Sequence, residues 1–238
     1  MISSRVVEAI VGEVADVAGV LEVGPGPGVL TQPLSAGRRV IAYEVDPVAI
    51  SALAESAPDA EIRHQDVLTV DLAPVLASLP SPRAIVSNMP YNITGPLLEA
   101  FAEQRAHVQK CVLMMQAEVG EKILAAPGDR LRGSVSVNLQ AQFHIQRLCK
   151  APAGCFFPPP KVDSIVLVIT PRGDEPPVDY RMVRAAFRQP RKTLANNLRT
   201  AGWSREVVAE VGLSPEIRPH QLTEANWLAL SAATRAQD

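Results

Sequence analysis

Asn88-Met89-Pro90-Tyr91 follows the apolar run Ala84-Ile85-Val86 and brings an amide, a rigid turn and an aromatic ring to one strand end. The Asn88 side-chain oxygen and the Met89 carbonyl can both accept hydrogen bonds from an exocyclic –NH2 group. Pro90 restricts the backbone so that this carbonyl stays aimed, and Tyr91 offers a face on which a planar base can stack. An adenine N6 lone pair is delocalised into its ring and is a poor nucleophile. Two acceptors that draw the amine toward tetrahedral geometry localise that pair for attack on a methyl group. A plain strand end with a proline turn has the same four residues, so the neighbouring motifs decide between the two readings.

Val20-Leu21-Glu22-Val23 leads into Gly24-Pro25-Gly26-Pro27-Gly28 and then into the helix-like Val29-Leu30-Thr31. A strand, a glycine-rich turn and a helix start let the backbone approach a ligand closely, with Gly24 and Gly26 as the contact points. The spacing is G-x-G-x-G rather than G-x-G-x-x-G, and Pro25 and Pro27 lack the N–H donors a pyrophosphate would use. The turn therefore suits an adenosyl ligand without phosphate. Glu44 ends the second strand-like run, where a carboxylate can take both ribose hydroxyls. Asp66 ends the third and can accept from an adenine amine, and Asn88 ends the fourth on the same edge. His64, close by, reads as a structural or surface histidine, and no metal site is expected.

These residues need a sheet to hold them. Apolar runs at Gly19–Val23, Arg39–Glu44, Glu61–Gln65, Ala84–Asn88 and Cys111–Gln116 alternate with helical patterns, among them Val6–Val17. Runs this continuous predict strands buried on both faces of a mostly parallel α/β sheet. Two later runs, His144–Cys149 and Ser164–Thr170, predict an antiparallel edge. Pro171 to Pro177 reads as a linker. Beyond it, Val178–Gln189, Arg191–Ala201, Arg205–Val211 and Thr223–Thr234 look helical, with Pro190 and Gly212 as breaks. The expected division is residues 1–172 for a catalytic domain and 173–238 for a small all-helical one.

Charge separates along the same line. Residues 1–129 hold eight Lys and Arg against sixteen Asp and Glu, whereas residues 130–205 hold thirteen against four. Arg181 to Arg205 holds seven basic residues and no acid, a one-sign surface that favours a polyanion. Lys161, Arg184, Arg188, Arg191, Lys192 and Arg199 are the residues expected to contact nucleic-acid phosphates. No apolar run reaches membrane-spanning length, and no signal-peptide pattern opens the chain. Cys111, Cys149 and Cys155 lack metal-ligand spacing and read as reduced thiols of a cytoplasmic protein.

Taken together, the motifs resemble those of the small-subunit (16S) ribosomal RNA adenine N6-dimethyltransferases, across essentially the whole chain. Leu21-Glu22-Val23-Gly24-Pro25-Gly26 and Glu44-Val45-Asp46 look like that family's cofactor motifs, and Asn88-Met89-Pro90-Tyr91-Asn92-Ile93 like its catalytic motif. Phe157-Pro158-Pro159-Pro160-Lys161-Val162-Asp163-Ser164 is similar to its late-sheet signature. Ala186-Phe187-Arg188 to Lys192-Thr193-Leu194, with Arg218-Pro219 and Leu222, resembles its C-terminal helical domain. The resemblance implies a class I, Rossmann-like methyltransferase that uses S-adenosylmethionine to dimethylate two adjacent adenines in a hairpin near the 3′ end of 16S rRNA. By that resemblance Gly24, Glu44, Asp66 and Asn88 contact cofactor, Asn88 and Met89 accept the amine, and Tyr91 stacks; a monomer is expected.

Two departures stand out. The family's N-terminal extension carries a Gln-Asn-Phe-Leu element that covers cofactor and base, whereas Met1-Ile2-Ser3-Ser4 stands roughly where the following helix should start. Either the sequence starts late or the protein works without that lid. Pro190 occupies a position where the family often has arginine. The alternatives are a large-subunit 23S rRNA adenine methyltransferase of the macrolide-resistance type, and a non-catalytic assembly or transcription factor on the same scaffold.

Overall fold

The computed structural model describes residues 3–173 and 178–235, so the centre of the expected linker, residues 174–177, lies outside the described residues. Seven strands form one sheet: β1 (Gly19–Val23), β2 (Arg39–Glu44), β3 (Glu61–His64), β4 (Arg83–Asn88), β5 (Lys110–Gln116), β6 (Phe143–Ala151) and β7 (Ser164–Pro171). Their order is β3-β2-β1-β4-β5-β7-β6. The pairs β1–β2, β1–β4, β2–β3 and β4–β5 are parallel, and β5–β7 is antiparallel. This is the mostly parallel sheet that the apolar runs implied, and its order is the Rossmann-like one that the resemblance implied. Its antiparallel strand is β7, with β6 beyond it. All five residues of β1 are buried, as are the four central residues of β4, because helices cover both faces.

Register gathers the chemistry at one edge. Val23 lies opposite Tyr43 on one side and Ser87 on the other, Glu44 lies opposite His64, and Asn88 lies opposite Met114. Strand order reverses between β1 and β4, and ligand crevices open at the carboxyl ends of strands beside such a switch point. Helices α1 (Ser4–Glu13), α2 (Thr31–Ser35), α3 (Pro47–Ser56), α4 (Leu72–Ser78) and α5 (Thr94–Glu103) connect or precede these strands. α1 is shorter than its apolar stripe: Ala15 and Val17 bond only three residues back, to Gly12 and Val14, as a helix end tightens. Val14 and Val17 nonetheless stay in the same apolar cluster as Val6, Ile10, Val20, Val40 and Val86.

The chain divides into two compact units, Met1–Gly120 with His144–Pro171, and Glu121–Phe143 with Arg172–Asp238. The last crossing, from Pro171 to Arg172, falls beside the expected boundary at 172. The first excursion, at residues 121–143, has no composition signal. It carries the end of α6 (Ala117–Leu124) and α7 (Ser134–Gln142). Val137 and Ala141 of α7 belong to the second unit because they bury against Val178, Met182, Leu198 and Trp227.

That second unit is otherwise α8 (Tyr180–Ala186), α9 (Leu194–Thr200), α10 (Glu206–Glu210) and α11 (Glu224–Arg235). Asp179 caps α8 by accepting from Arg181 N (2.9 Å) and Met182 N (3.2 Å). Pro190 sits in the turn after α8, and the buried Asn197 clamps that turn by bonding both Gln189 N (3.1 Å) and Gln189 O (3.0 Å). Phe187 and Trp227 stack with centroids 5.9 Å apart.

Candidate active site

The glycine turn after β1 needs glycine. Gly24, Gly26 and Gly28 have φ of +69°, +55° and +89°, the left-handed region that side chains disfavour. A methyl group on Gly24 would stand 3.4 Å from the Pro90 ring and 3.6 Å from Asn88 O, so the turn presses directly against the Asn88–Tyr91 segment. Gly26 N donates to Glu44 Oε2 at 3.0 Å, while Glu44 Oε1 accepts from Val45 N (2.8 Å) and Asp46 N (3.0 Å). Three backbone donors therefore hold the Glu44 carboxylate at the end of β2, two on Oε1 and one on Oε2, so Oε2 keeps a lone pair for a hydroxyl. Asp66 lies two residues past β3, exposed, and caps a short turn through Leu68 N at 3.0 Å. Val45, next to Glu44, and Leu68, two residues past Asp66, are exposed apolar side chains.

Glu22 is the group that sequence reading quoted but gave no role. Strand alternation points it to the same face as Val20, beneath α2, and it is 1% exposed with Oε2 lacking any hydrogen-bond partner. Burial pushes its carboxyl up to about 8; the Thr31 hydroxyl opposes this, without forming a geometrically sound bond of its own, and the charge of Glu44 adds to it. Glu22 lines a cavity of about 100 Å³ with Gly24, Pro25, Gly26, Pro27, Val29, Leu30 and Asn88. Glu44 reaches this cavity through its bond to Gly26, and Asp66 is not among the lining residues.

A second cavity, of about 270 Å³, is lined by Asn88, Met89, Pro90, Tyr91, Phe156, Pro158 and Pro160. Met89 is fully buried, its N–H donating to Met114 O at 2.9 Å, which locks the motif onto β5. Pro90 O accepts from Ile93 N (3.2 Å) and Thr94 Oγ1 (3.1 Å) and so starts α5. Tyr91 is 38% exposed, with its hydroxyl 2.9 Å from Ser164 Oγ. Asn88 lines both cavities, and its side chain makes no hydrogen bond among the described residues. A free amide between a glycine-walled cavity and an aromatic slot can hold an amine against whatever fills the first.

The family model for ribosomal RNA adenine dimethylase matches residues 2–233. The chain belongs to the ribosomal RNA adenine dimethylase family. A ribosomal RNA small subunit methyltransferase A from Lactobacillus delbrueckii subsp. bulgaricus is 38% identical over 239 residues, 90% of this chain and 80% of its own. The Geobacter metallireducens protein of the same name is 39% identical over 238 residues, 91% of this chain and 85% of its own. A solved dimethyladenosine transferase from Plasmodium falciparum superposes with a TM-score of 0.81 at 23% identity, covering 100% of this chain and 98% of that one, which shows the shared fold.

Within this dimethylase-family chain, the expected phosphate contacts fall in both units. Lys161 is exposed ahead of β7 in the first. Arg184, Arg188, Arg191, Lys192 and Arg199 are all exposed in the second, with the Arg184 guanidinium 5.8 Å from the centre of the Tyr180 ring. Arg172 is instead tied to Glu224 at 2.6 Å. Phe156, the wall facing the slot beside Tyr91, was missed by sequence reading. Phe157, which opens the late-sheet signature, is 75% exposed and lines no part of the slot. The Phe156-Phe157 doublet was the available signal, but only the folded loop after the Ala153–Cys155 turn shows which ring lines the slot.

Proposed function

We propose that this protein dimethylates N6 of two adjacent adenines in the 3′-terminal hairpin of 16S rRNA within the small ribosomal subunit, using S-adenosylmethionine, as a late step of ribosome biogenesis. The observation that carries this reading is Asn88, whose unbonded amide borders both the glycine-turn cavity and the aromatic slot. The cofactor's chemistry fits the residues present. Gly24 and Gly26 give close backbone approach, Glu44 and the exposed Asp66 supply acceptors for ribose and adenine, and Glu22 Oε2 is a buried carboxyl oxygen without a hydrogen-bond partner. Bound there, S-adenosylmethionine supplies an electrophilic methyl group on a positively charged sulfur.

The remaining work belongs to the chain. Exposed Lys161, Arg184, Arg188, Arg191, Lys192 and Arg199 hold phosphates, so binding weakens as salt rises. The target adenine leaves its stack, as bases acted on by such enzymes do, and enters between Tyr91 and Phe156. The Asn88 side-chain oxygen and the Met89 carbonyl accept from its amine and aim the nitrogen, so positioning supplies much of the rate. Among the described residues, no carboxylate or imidazole lines the slot. None is needed, because an alkylated aryl ammonium is acidic enough to give its proton to water. Residues 1–172 serve catalysis and 173–238 serve RNA binding, and the protein acts as a cytoplasmic monomer.

The test is methyl transfer from labelled cofactor to small subunits that lack the adenine methyls, read by nucleoside mass spectrometry. Dimethyladenosine on the small subunit, absent with Asn88→Ala and absent from naked large-subunit rRNA, is the expected result. Product on large-subunit rRNA moves the assignment to the macrolide-resistance type. Tight subunit binding without product favours an assembly factor.

A further inference from the structure

Two consecutive residues outside the catalytic motif reach the two walls of the aromatic slot. Ser164 opens β7 opposite Gln116, the last residue of β5, and is 1% exposed. Its hydroxyl lies 2.9 Å from the Tyr91 hydroxyl, across 73 residues of chain. Asp163, its neighbour, accepts from Ala153 N through Oδ1 at 2.9 Å. Ala153 begins the short turn Ala153–Cys155, whose carbonyl at Ala153 takes Phe156 N at 3.2 Å. Asp163 also accepts from Ala117 N through its carbonyl at 2.9 Å, which fastens the pair to the end of β5. β5 holds the catalytic motif as well, through Met89 N and Met114 O.

We propose that Asp163 and Ser164 form a positioning bracket for the base slot, Ser164 setting Tyr91 and Asp163 setting the turn that carries Phe156. The proposal rests on the slot being the target-base site. A half-exposed tyrosine ring has rotamer freedom, and a fixed hydroxyl at its far end removes much of it. Ser164 is too buried to satisfy its hydroxyl with solvent, so the bond persists rather than exchanging with water. With both walls fixed on β5 and β7, the base can enter in only one plane, and its amine then faces Asn88 and Met89. A bond that merely satisfied a buried hydroxyl would protect stability without touching turnover, and the two roles separate experimentally.

Ser164→Ala, Tyr91→Phe and their combination, together with Asp163→Ala and Asp163→Asn, are assayed on small subunits lacking the methyls. Cofactor Kd, subunit KM and Tm are measured alongside. Ser164→Ala and Tyr91→Phe are each expected to lower kcat about three- to tenfold, the size of one net hydrogen bond, with KM and cofactor Kd unchanged. The double variant is expected to be no worse than either single one, because both remove the same bond. Asp163→Ala is expected to lower kcat, and Asp163→Asn to restore it, since the amide oxygen still accepts from Ala153 N. Should Ser164→Ala not fold, Tyr91→Phe at the half-exposed ring and the Asp163 pair carry the same test. Unchanged kcat in the single variants, losses that multiply in the double one, or losses that follow Tm or cofactor Kd would overturn the bracket. Wild-type protein that methylates no rRNA removes the functional reading and the bracket with it; wild-type transfer with indifferent variants removes the bracket alone.

Discussion

Glu22→Gln tests the electrostatics of the cofactor cavity most directly. Burial pushes the Glu22 carboxyl from an ordinary 4.5 up to about 8, so between those pH values the folded chain keeps a proton that the unfolded chain has lost. Stability linked to Glu22 is therefore fully present below pH 4.5 and is lost as pH rises toward 8. At about 1.4 kcal/mol per unit the whole loss is roughly 5 kcal/mol. Water entering the cavity offsets about half of this cost. Glutamine is nearly isosteric and does not ionise. At roughly 2–4 °C per kcal/mol for a chain of this size, Glu22→Gln should melt about 5–10 °C above wild type at pH 8.5 and close to it at pH 5. Thermal melts from pH 5 to 9 measure the gap, with and without S-adenosylmethionine. The cofactor's ammonium should partner the wild-type carboxylate and narrow the gap at high pH by stabilising the wild-type protein selectively. A gap that stays constant with pH refutes the assigned burial and orphaned oxygen. A gap that opens with pH but ignores cofactor refutes the pairing.

Removing the inner wall of the slot with Phe156→Ala should cut kcat/KM on small subunits about 5- to 100-fold, the range for one lost base–aromatic stack, with cofactor affinity unchanged; a calorimetric cofactor titration beside the kinetics checks both. Gly28→Ala should cripple the cofactor turn, because φ is +89° and the new methyl would stand 2.3 Å from Ser56 Oγ and 2.9 Å from Leu53 Cδ1. Its Tm should fall by several degrees, and adding Ser56→Gly should recover only part of that, since the backbone strain remains. Arg188→Ala should weaken subunit binding evenly and lower the slope of log K against log salt by about one, whereas a change in slope near zero would show that this exposed arginine touches no phosphate.

Much of this site was legible in one dimension because its parts are short local motifs at strand ends. A run of apolar residues long enough to be buried on both faces, followed by glycine or an acid, marks the carboxyl edge of a parallel sheet. Gly24, Glu44 and Asn88 were found in that way, and the register brings their strand ends to one edge. The helix boundaries were less legible: α1 stops at Glu13 although its apolar stripe runs to Val17, because valines can pack as a turn as well as a helix. Residues 121–143 carry no compositional mark, since membership in a compact unit depends on which partners Val137 and Ala141 find.

The sequence by itself therefore determined the chemistry on offer: the amide and carbonyl for an amine, the phosphate-free adenosyl turn, and the one-sign basic stretch from Arg181 to Arg205. Each depends on residue types and spacings that act within a few positions of one another. Tertiary structure alone decided that Glu22 is a buried carboxyl with an orphaned oxygen, that Phe156 rather than Phe157 forms a wall of the slot, and that Ser164 meets Tyr91. Those facts depend on pairings between distant segments, which no local pattern of side chains encodes, because burial and contact are properties of what the sheet brings together.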